Sequence, residues 1–273
     1  LDYTGTLTPS PAAGAYRLGG GNTTYVGQSH RGLSVSNLAD SAGATPVVIG
    51  APGIVELKTG NTYSGGTVVT NRGVLFIKED GLGAVPPSAD AQNLYINNGV
   101  IRSGSVNFSL NANRGVAVGP AGMELHPWGG YSMTVLGNLS GTGPVNTTDS
   151  GNVTFGGSAN TYQGGITIGG GGGIRIGNGA NFSWPSTVGI TNNSRLFLNT
   201  DSDKTFSTPV TGSGAVRKEG TGALTLATPM SYAGKTFIDT GVLKVSATNI
   251  LPRGSGRGVV EIAADAALDA AGG

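Results

Sequence analysis

Cysteine is absent from the 273 residues, so neither disulfides nor thiolate metal sites can hold this chain together. Burial and backbone hydrogen bonding must do so, and a chain without thiols suits export in an unfolded state. Charge is scarce: Asp, Glu, Lys and Arg make up 11% of the chain and balance to a net +1, against roughly 25% charged residues in an average domain. The two signs are interspersed. That excludes the basic footprint of a nucleic-acid binder and the polybasic patch of a membrane-surface protein. No apolar run approaches the roughly 18 residues needed to span a bilayer, which argues against direct membrane insertion. Only two histidines occur, His30 and His126, and neither sits in a metal-ligand spacing.

Helix is disfavoured by what is abundant. There are 50 glycines, and each costs about 0.5–1 kcal/mol relative to Ala inside a helix. Disorder is argued against by Val, Ile and Leu, which recur in short alternating runs bounded by Gly, Asn and Thr. The expectation is an ordered all-β protein. One phrase returns three times: "GNTYSGGTVVTNRGVLFI" from Gly60, "ANTYQGGITIGGGGGIRI" from Ala159, and more loosely "MSYAGKTFIDTGVLKV" from Met230. Upstream, Gly143, Val145, Val153 and Phe155 fall on Gly214, Val216, Leu224 and Leu226 at an offset of 71, and Val47, Gly53 and Leu57 match Val145, Gly151 and Phe155 at an offset of 98.

Equivalent strands return at a nearly constant interval, from Leu57 to Ile77, from Phe155 to Ile176 and from Leu226 to Val245. That is the period of a coil with roughly 20 residues per turn, each turn stacked in parallel on the last about 4.8 Å away. At that pitch the chain makes about 13 turns and a rod roughly 60 Å long, with the copies a whole number of turns apart. An antiparallel meander or sandwich is the alternative; the absence of consistent two-residue hairpin signals weighs against it. Gly and Asn are expected at corners that need positive φ. Gly65 is one such corner position, costly to exchange for Val if its φ is positive. The chain starts at Leu1 and closes on "AADAALDAAGG", which reads as the start of another strand unit, so 1–273 is expected to be one continuous solenoid segment of a longer polypeptide.

These residues carry a resemblance. "TGSGAVRKEGTGALTL", "MSYAGKTFIDTGVLKV" and "NTYSGG" resemble the autotransporter-associated β-strand repeat of passenger regions in large bacterial surface proteins, with clear units near 47–82, 141–179 and 211–251. The resemblance implies a right-handed parallel β-helix, secreted or displayed at the outer cell surface, acting as stalk, scaffold or adhesin. Its repeat-defining positions here are Tyr63, Gly65, Gly66, Tyr162, Gly164, Gly165, Tyr232, Gly234 and Gly241, which are expected to serve packing and corner geometry rather than binding. Lys235 departs from the second Gly of the motif, and the pentaglycine Gly169–Gly173 departs from the usual Asn-Gly-Gly turn.

Chemistry is thinly represented. No nucleophile elbow is present, and the pentaglycine lacks the Lys-Ser/Thr of a phosphate loop. "NTDSDKT" at 199–205 spaces Asn199, Asp201 and Asp203 like part of a calcium loop but lacks its Gly and terminal Glu; these carboxylates are expected to cap their own turn. The remaining acids are scattered, so no catalytic residue, metal or cofactor is assigned. Trp128, Tyr131 and Trp184 are the candidates for a glycan platform, because flat aromatic faces suit sugars, although large aromatics more often cover a core. Three functions follow in order: a non-enzymatic extracellular scaffold, a self-assembling fibre subunit, and a polysaccharide-binding or polysaccharide-cleaving β-helix. The partners are flanking repeats of the same polypeptide or copies of the chain, with a cell-surface glycan or protein as a further candidate.

Overall fold

Alternation within each short run decides the architecture. In Val47–Ile49, Ile166–Ile168 and Ile190–Asn192 the first and third side chains are buried and the middle one faces outward, so each strand offers the core only two residues. Such a strand cannot fold alone; it pairs with the equivalent strand one turn before and one turn after. The computed structural model describes residues 2–3, 5–9, 14–19, 25–26, 29–30, 32–50, 52–185, 188–253 and 258–270. These form an all-β parallel solenoid of about ten turns with no helix among the described residues.

The chain winds over three faces. Face A is an unbroken parallel sheet of ten strands from Asp2–Tyr3 to Val210–Thr211. Face B has eight strands, from Phe108–Leu110 to Val260–Ile262. Face C has six, from Tyr16–Leu18 to Leu139–Gly141, and is resumed by four more from Lys204–Phe206 to Ala266–Asp269. Near the C-terminus, Ala266–Asp269 is thus a strand of the coil, paired in parallel with Gly241–Val245. One antiparallel pair departs from the pattern, Tyr25–Val26 with Ser29–His30.

Side chains at one register position form a column through the interior. On face A, Val55, Leu75, Ile101, Leu125, Thr147, Ile168 and Asn192 are successive partners; on face B, Val135, Phe155, Ile176, Leu198, Lys218 and Ile238 are. Lys218 is thus a cation in an aliphatic column, buried to 1% exposure. It survives there because its ammonium donates to the carbonyls of Glu219, Gly220 and Thr240 at 2.8, 2.6 and 3.1 Å. Burial nevertheless pushes its pKa below the ordinary lysine value.

Two details differ from expectation. The solenoid has about ten turns of about 22 residues, close to the expected period of roughly 20 but fewer turns than the roughly 13 expected, for a rod of about 50 Å. The windings inside the repeats are the short ones. Ile54 pairs with Val74, but Val74 must wait until Val100 for its next partner, because the segment 78–89 bulges at a corner. The copies are also not whole turns apart. Val47 lies on face C, Val145 on face A and Val216 on face B. Stepping through the paired strands, the second copy starts four turns and a third after the first, and the third starts three turns and a third after the second. The motif fits every face because each face offers it the same parallel neighbours at the same spacing.

Candidate functional site

Each copy is a cassette of two turns. The strands Val47–Ile49 and Gly53–Leu57 pair with Thr67–Thr70 and Gly73–Ile77. Val145–Thr147 and Asn152–Phe155 pair with Ile166–Ile168 and Gly173–Gly179. Ala215–Glu219 and Ala223–Leu226 pair with Thr236–Ile238 and Gly241–Val245. On the third face of the first turn, where a strand would sit, each cassette places its tyrosine corner.

Tyr63, Tyr162 and Tyr232 point into the core and are at most 1% exposed. A buried phenol needs a partner for its hydroxyl. Tyr63 and Tyr232 hydrogen-bond to Thr67 Oγ1 and Thr236 Oγ1, at 2.6 and 2.5 Å. Where the second copy has Ile166 instead of Thr, Tyr162 donates to the carbonyls of Gly143 and Gly165. Two residues earlier, an asparagine ties three turns together. Asn61 Oδ1 accepts from the Leu38 backbone and its Nδ2 donates to the carbonyls of Lys58 and Gly81; Asn160 does the same with Leu139, Gly157 and Ser183.

The glycines after the tyrosine act by close approach. Gly65 does not have a positive φ, unlike Gly66 at +75°. A Cβ on Gly65 would lie 2.3 Å from Pro46 N, one on Gly164 would lie 2.3 Å from the Gly143 carbonyl oxygen, and one on Gly234 would meet the Gly214 oxygen at the same distance. Each passes over the backbone of the previous turn with no room for a side chain. Gly165 is different: its φ is ordinary and a Cβ would lie 3.2 Å from Val188 Cγ1 and 3.5 Å from the Gly189 oxygen, with no backbone atom closer. That explains Lys235 at the matching place, where the side chain turns outward to Glu261. We expect Gly164→Val to cost about 2–3 kcal/mol in urea unfolding and Gly165→Lys to stay within about 0.5 kcal/mol. Gly241 closes the motif with φ +69° and would bring a Cβ to 2.6 Å from the oxygens of Gly220 and Gly222.

The aromatic candidates separate. Trp184 is in the core, its ring centroid 6.2 Å from Phe155 and 5.6 Å from Tyr162, so it offers no face to a ligand. Trp128 and Tyr131 are half-buried on the corner between faces A and B, held by Trp128 N donating to Ser103 Oγ and Tyr131 N donating to the Trp128 carbonyl. The structure brings Trp128 beside groups that no motif in the sequence joined. The Arg102 guanidinium lies 5.8 Å from the Trp128 ring centroid and 3.3 Å from Asp149 Oδ2. Arg102 Nη1 is also 3.3 Å from His126 Nδ1, whose Nε2 lies 3.2 Å from Glu124 Oε2. Donation by the guanidinium puts the imidazole proton of neutral His126 on Nε2, facing Glu124. Arg102, Trp128, Gly129, Thr148, Asp149, Ser150 and Gly170 line a cleft of about 450 Å³.

Other acids are likewise paired across turns, Glu219 with Arg175 and Asp239 with Arg217, where each arginine also covers an outward phenylalanine, Phe197 or Phe237. Asp201 and Asp203 cap the turn above, accepting from Thr221 N and Ala223 N, rather than their own. The pentaglycine is a corner, with positive φ at Gly170 and Gly171. Among the described residues no three His, Cys, Asp or Glu side chains gather as a metal site; the side chain of His30 lies outside the described residues.

Two segments of the chain, 52–75 and 216–245, match the family model of the passenger-associated-transport-repeat. They fall on the first and third cassettes, and the second cassette has the same strand pairing and tyrosine corner. No curated protein and no solved structure matches the chain.

Proposed function

We propose that this chain, a carrier of passenger-associated-transport repeats wound into a parallel β-solenoid, is a non-catalytic spacer within the surface-displayed or secreted passenger region of a larger bacterial protein. The observation that carries the reading is the continuity of face A, ten strands paired in parallel without a break. Each added turn extends such a rod by one strand spacing, about 4.8 Å. Its partners are flanking repeats of the same polypeptide, which lengthen the same columns. Charged side chains that a hydrolytic centre would need are engaged in cross-turn pairs: Asp149 with Arg102, Glu219 with Arg175 and Asp239 with Arg217.

The test is made in the full-length protein displayed on cells. A fluorophore placed beyond this segment is ranged against a membrane dye, with and without residues 1–273. Deletion should bring the fluorophore closer by about 50 Å, and incubation of the intact segment with pectin or alginate should release no new reducing or unsaturated ends. An unchanged height, or glycan turnover lost on replacing one Asp or Glu, defeats the proposal.

A further inference from the structure

The geometry points to a binding site for a neutral saccharide at the corner between faces A and B, with Trp128 as its platform and Arg102 and Asp149 as its polar clamp. Three independent features converge on it.

The first is the ring itself. Trp128 is half-buried on a projecting corner, unlike the other tryptophan of the chain, Trp184, which is packed in the core. An indole anchored along one edge and open along another offers the apolar surface on which the C–H face of a pyranose stacks.

The second is the removal of side chains from the turns stacked beside it. At this corner the successive turns place Gly129-Gly130, then Asp149-Ser150-Gly151, then the pentaglycine Gly169–Gly173. Gly170 and Gly171 have φ of +71° and +83°, and a Cβ on Gly170 would sit 1.5 Å from the Thr148 oxygen. A side chain is therefore barred at Gly170, and the corner stays open above Asp149. The pentaglycine, which the repeat does not require, thus shapes the trough. Two turn spacings, about 10 Å, separate the Trp128 corner from Gly170, enough for a disaccharide.

The third is the charge arrangement. Arg102 and Asp149 form an ion pair at 3.3 Å, so the cleft presents guanidinium donors and carboxylate acceptors side by side with no net charge between them. Thr148 and Ser150 add side-chain hydroxyls to the lining. Vicinal sugar hydroxyls donate and accept at once and fit such a pair. An acidic glycan would meet Asp149, and Glu124 beyond His126, while the cation lining the cleft, Arg102, is already paired with Asp149, which selects neutral sugars over uronates. The Arg–Phe pairs on face B share the cation–aromatic contact, but their arginines are closed by two-point bonds to Glu219 and Asp239.

The intact chain is titrated with neutral cello-, manno-, malto- and galacto-oligosaccharides and with oligogalacturonate, reading acrylamide quenching of tryptophan fluorescence. Trp184 is shielded in the core, so the accessible signal comes from Trp128. The expected result is saturable protection of Trp128 by at least one neutral series and none by oligogalacturonate at equal concentration. Trp128→Ala should weaken retention on that sugar at least tenfold, and Asp149→Asn several-fold, with thermal midpoint and β-sheet circular dichroism retained. No protection by any neutral series, equal protection by the acidic one, or undiminished retention by a folded Trp128→Ala variant each overturns the site. If Trp128→Ala fails to fold, the quenching titration of the unaltered chain and the Asp149→Asn variant decide.

Discussion

Replacement of Arg114 by methionine will lower the stability of the solenoid by about 3–5 kcal/mol, the scale of breaking a buried, fully bonded charge. Arg114 has no exposed surface. Its Nε donates to Asp80 Oδ2 at 3.0 Å, Nη1 to the carbonyls of Leu82 and Ala84 and to Asn93 Oδ1, and Nη2 to the Gly83 carbonyl at 2.7 Å. One side chain thus gathers the corner excursion at 78–89, where the backbone runs without a sheet partner of its own and its carbonyls turn inward. Methionine fills much of the volume but leaves the inward oxygens of 82–84 and Asn93 Oδ1 without that donor, and unpaired buried acceptors are costly; Asp80 keeps the Leu82 N–H. Arg114→Lys should recover only part of the loss, since an ammonium cannot reproduce the planar fork. Urea unfolding followed by circular dichroism measures both variants; a loss below about 1 kcal/mol for methionine would show that water replaces the guanidinium. Proteolysis confined to 78–89 in the variants would locate the damage.

Alkali should unfold the chain steeply above pH 10. Burial raises the pKa of all three corner tyrosines, of Tyr232 to about 12 from an ordinary 10.0, while the bonds of Tyr63 and Tyr232 to Thr67 and Thr236 partly oppose the rise. Between pH 10 and those raised values the folded chain keeps phenolic protons that the unfolded chain has released. The stability linked to them is complete below pH 10 and drains away as pH rises through the folded values, by roughly 1.4 kcal/mol per pH unit for each tyrosine, about 4 for three. Lys218 acts in the opposite sense. Its folded pKa is lowered by burial from 10.5, so the unfolded chain binds the extra proton and this contribution grows with pH until about 10.5, then stops. The decline should accordingly be shallower just above pH 10 and steepest beyond 10.5. Urea midpoints taken from pH 9 to 11.5 test this, with Tyr162→Phe expected to remove about a third of the slope; a flat profile across that interval would mean the phenols ionise without unfolding.

The parallel coil was legible because three cassettes repeat a pattern of alternation, glycine and tyrosine that only stacking can bury. Its phase was not. The offsets between copies, as from Val47 to Val145 and from Val145 to Val216, read as whole turns when the period is taken from inside the cassettes. The longer intervening turns, swollen at 78–89, convert the same offsets to turns and a third. The buried cations were also hidden. Arg114 opens "RGVAV" and Lys218 lies in "AVRKE", where strand alternation would place an aliphatic residue; the carbonyls that receive them come from corners distant in sequence or irregular in backbone. The aromatic candidates divided on a comparable point: "FSWP" and "HPWGGY" look alike as loop sequences, but the first fills the core beneath Tyr162 and the second projects from a corner. At Gly65 the expected reason, a positive φ, does not hold; close contact with Thr45 and Pro46, and not its own torsion, forbids a side chain.

The cassettes' placement on faces C, A and B in succession gives the rod a compass as well as a height. Each further motif introduced at the same kind of interval swings its tyrosine corner by another third of a revolution around the long axis, so whatever such a corner carries would be distributed like steps on a spiral stair. Lengthening or shortening one intervening corner by a third of a winding would leave the reach of the molecule almost unchanged while redirecting everything beyond it.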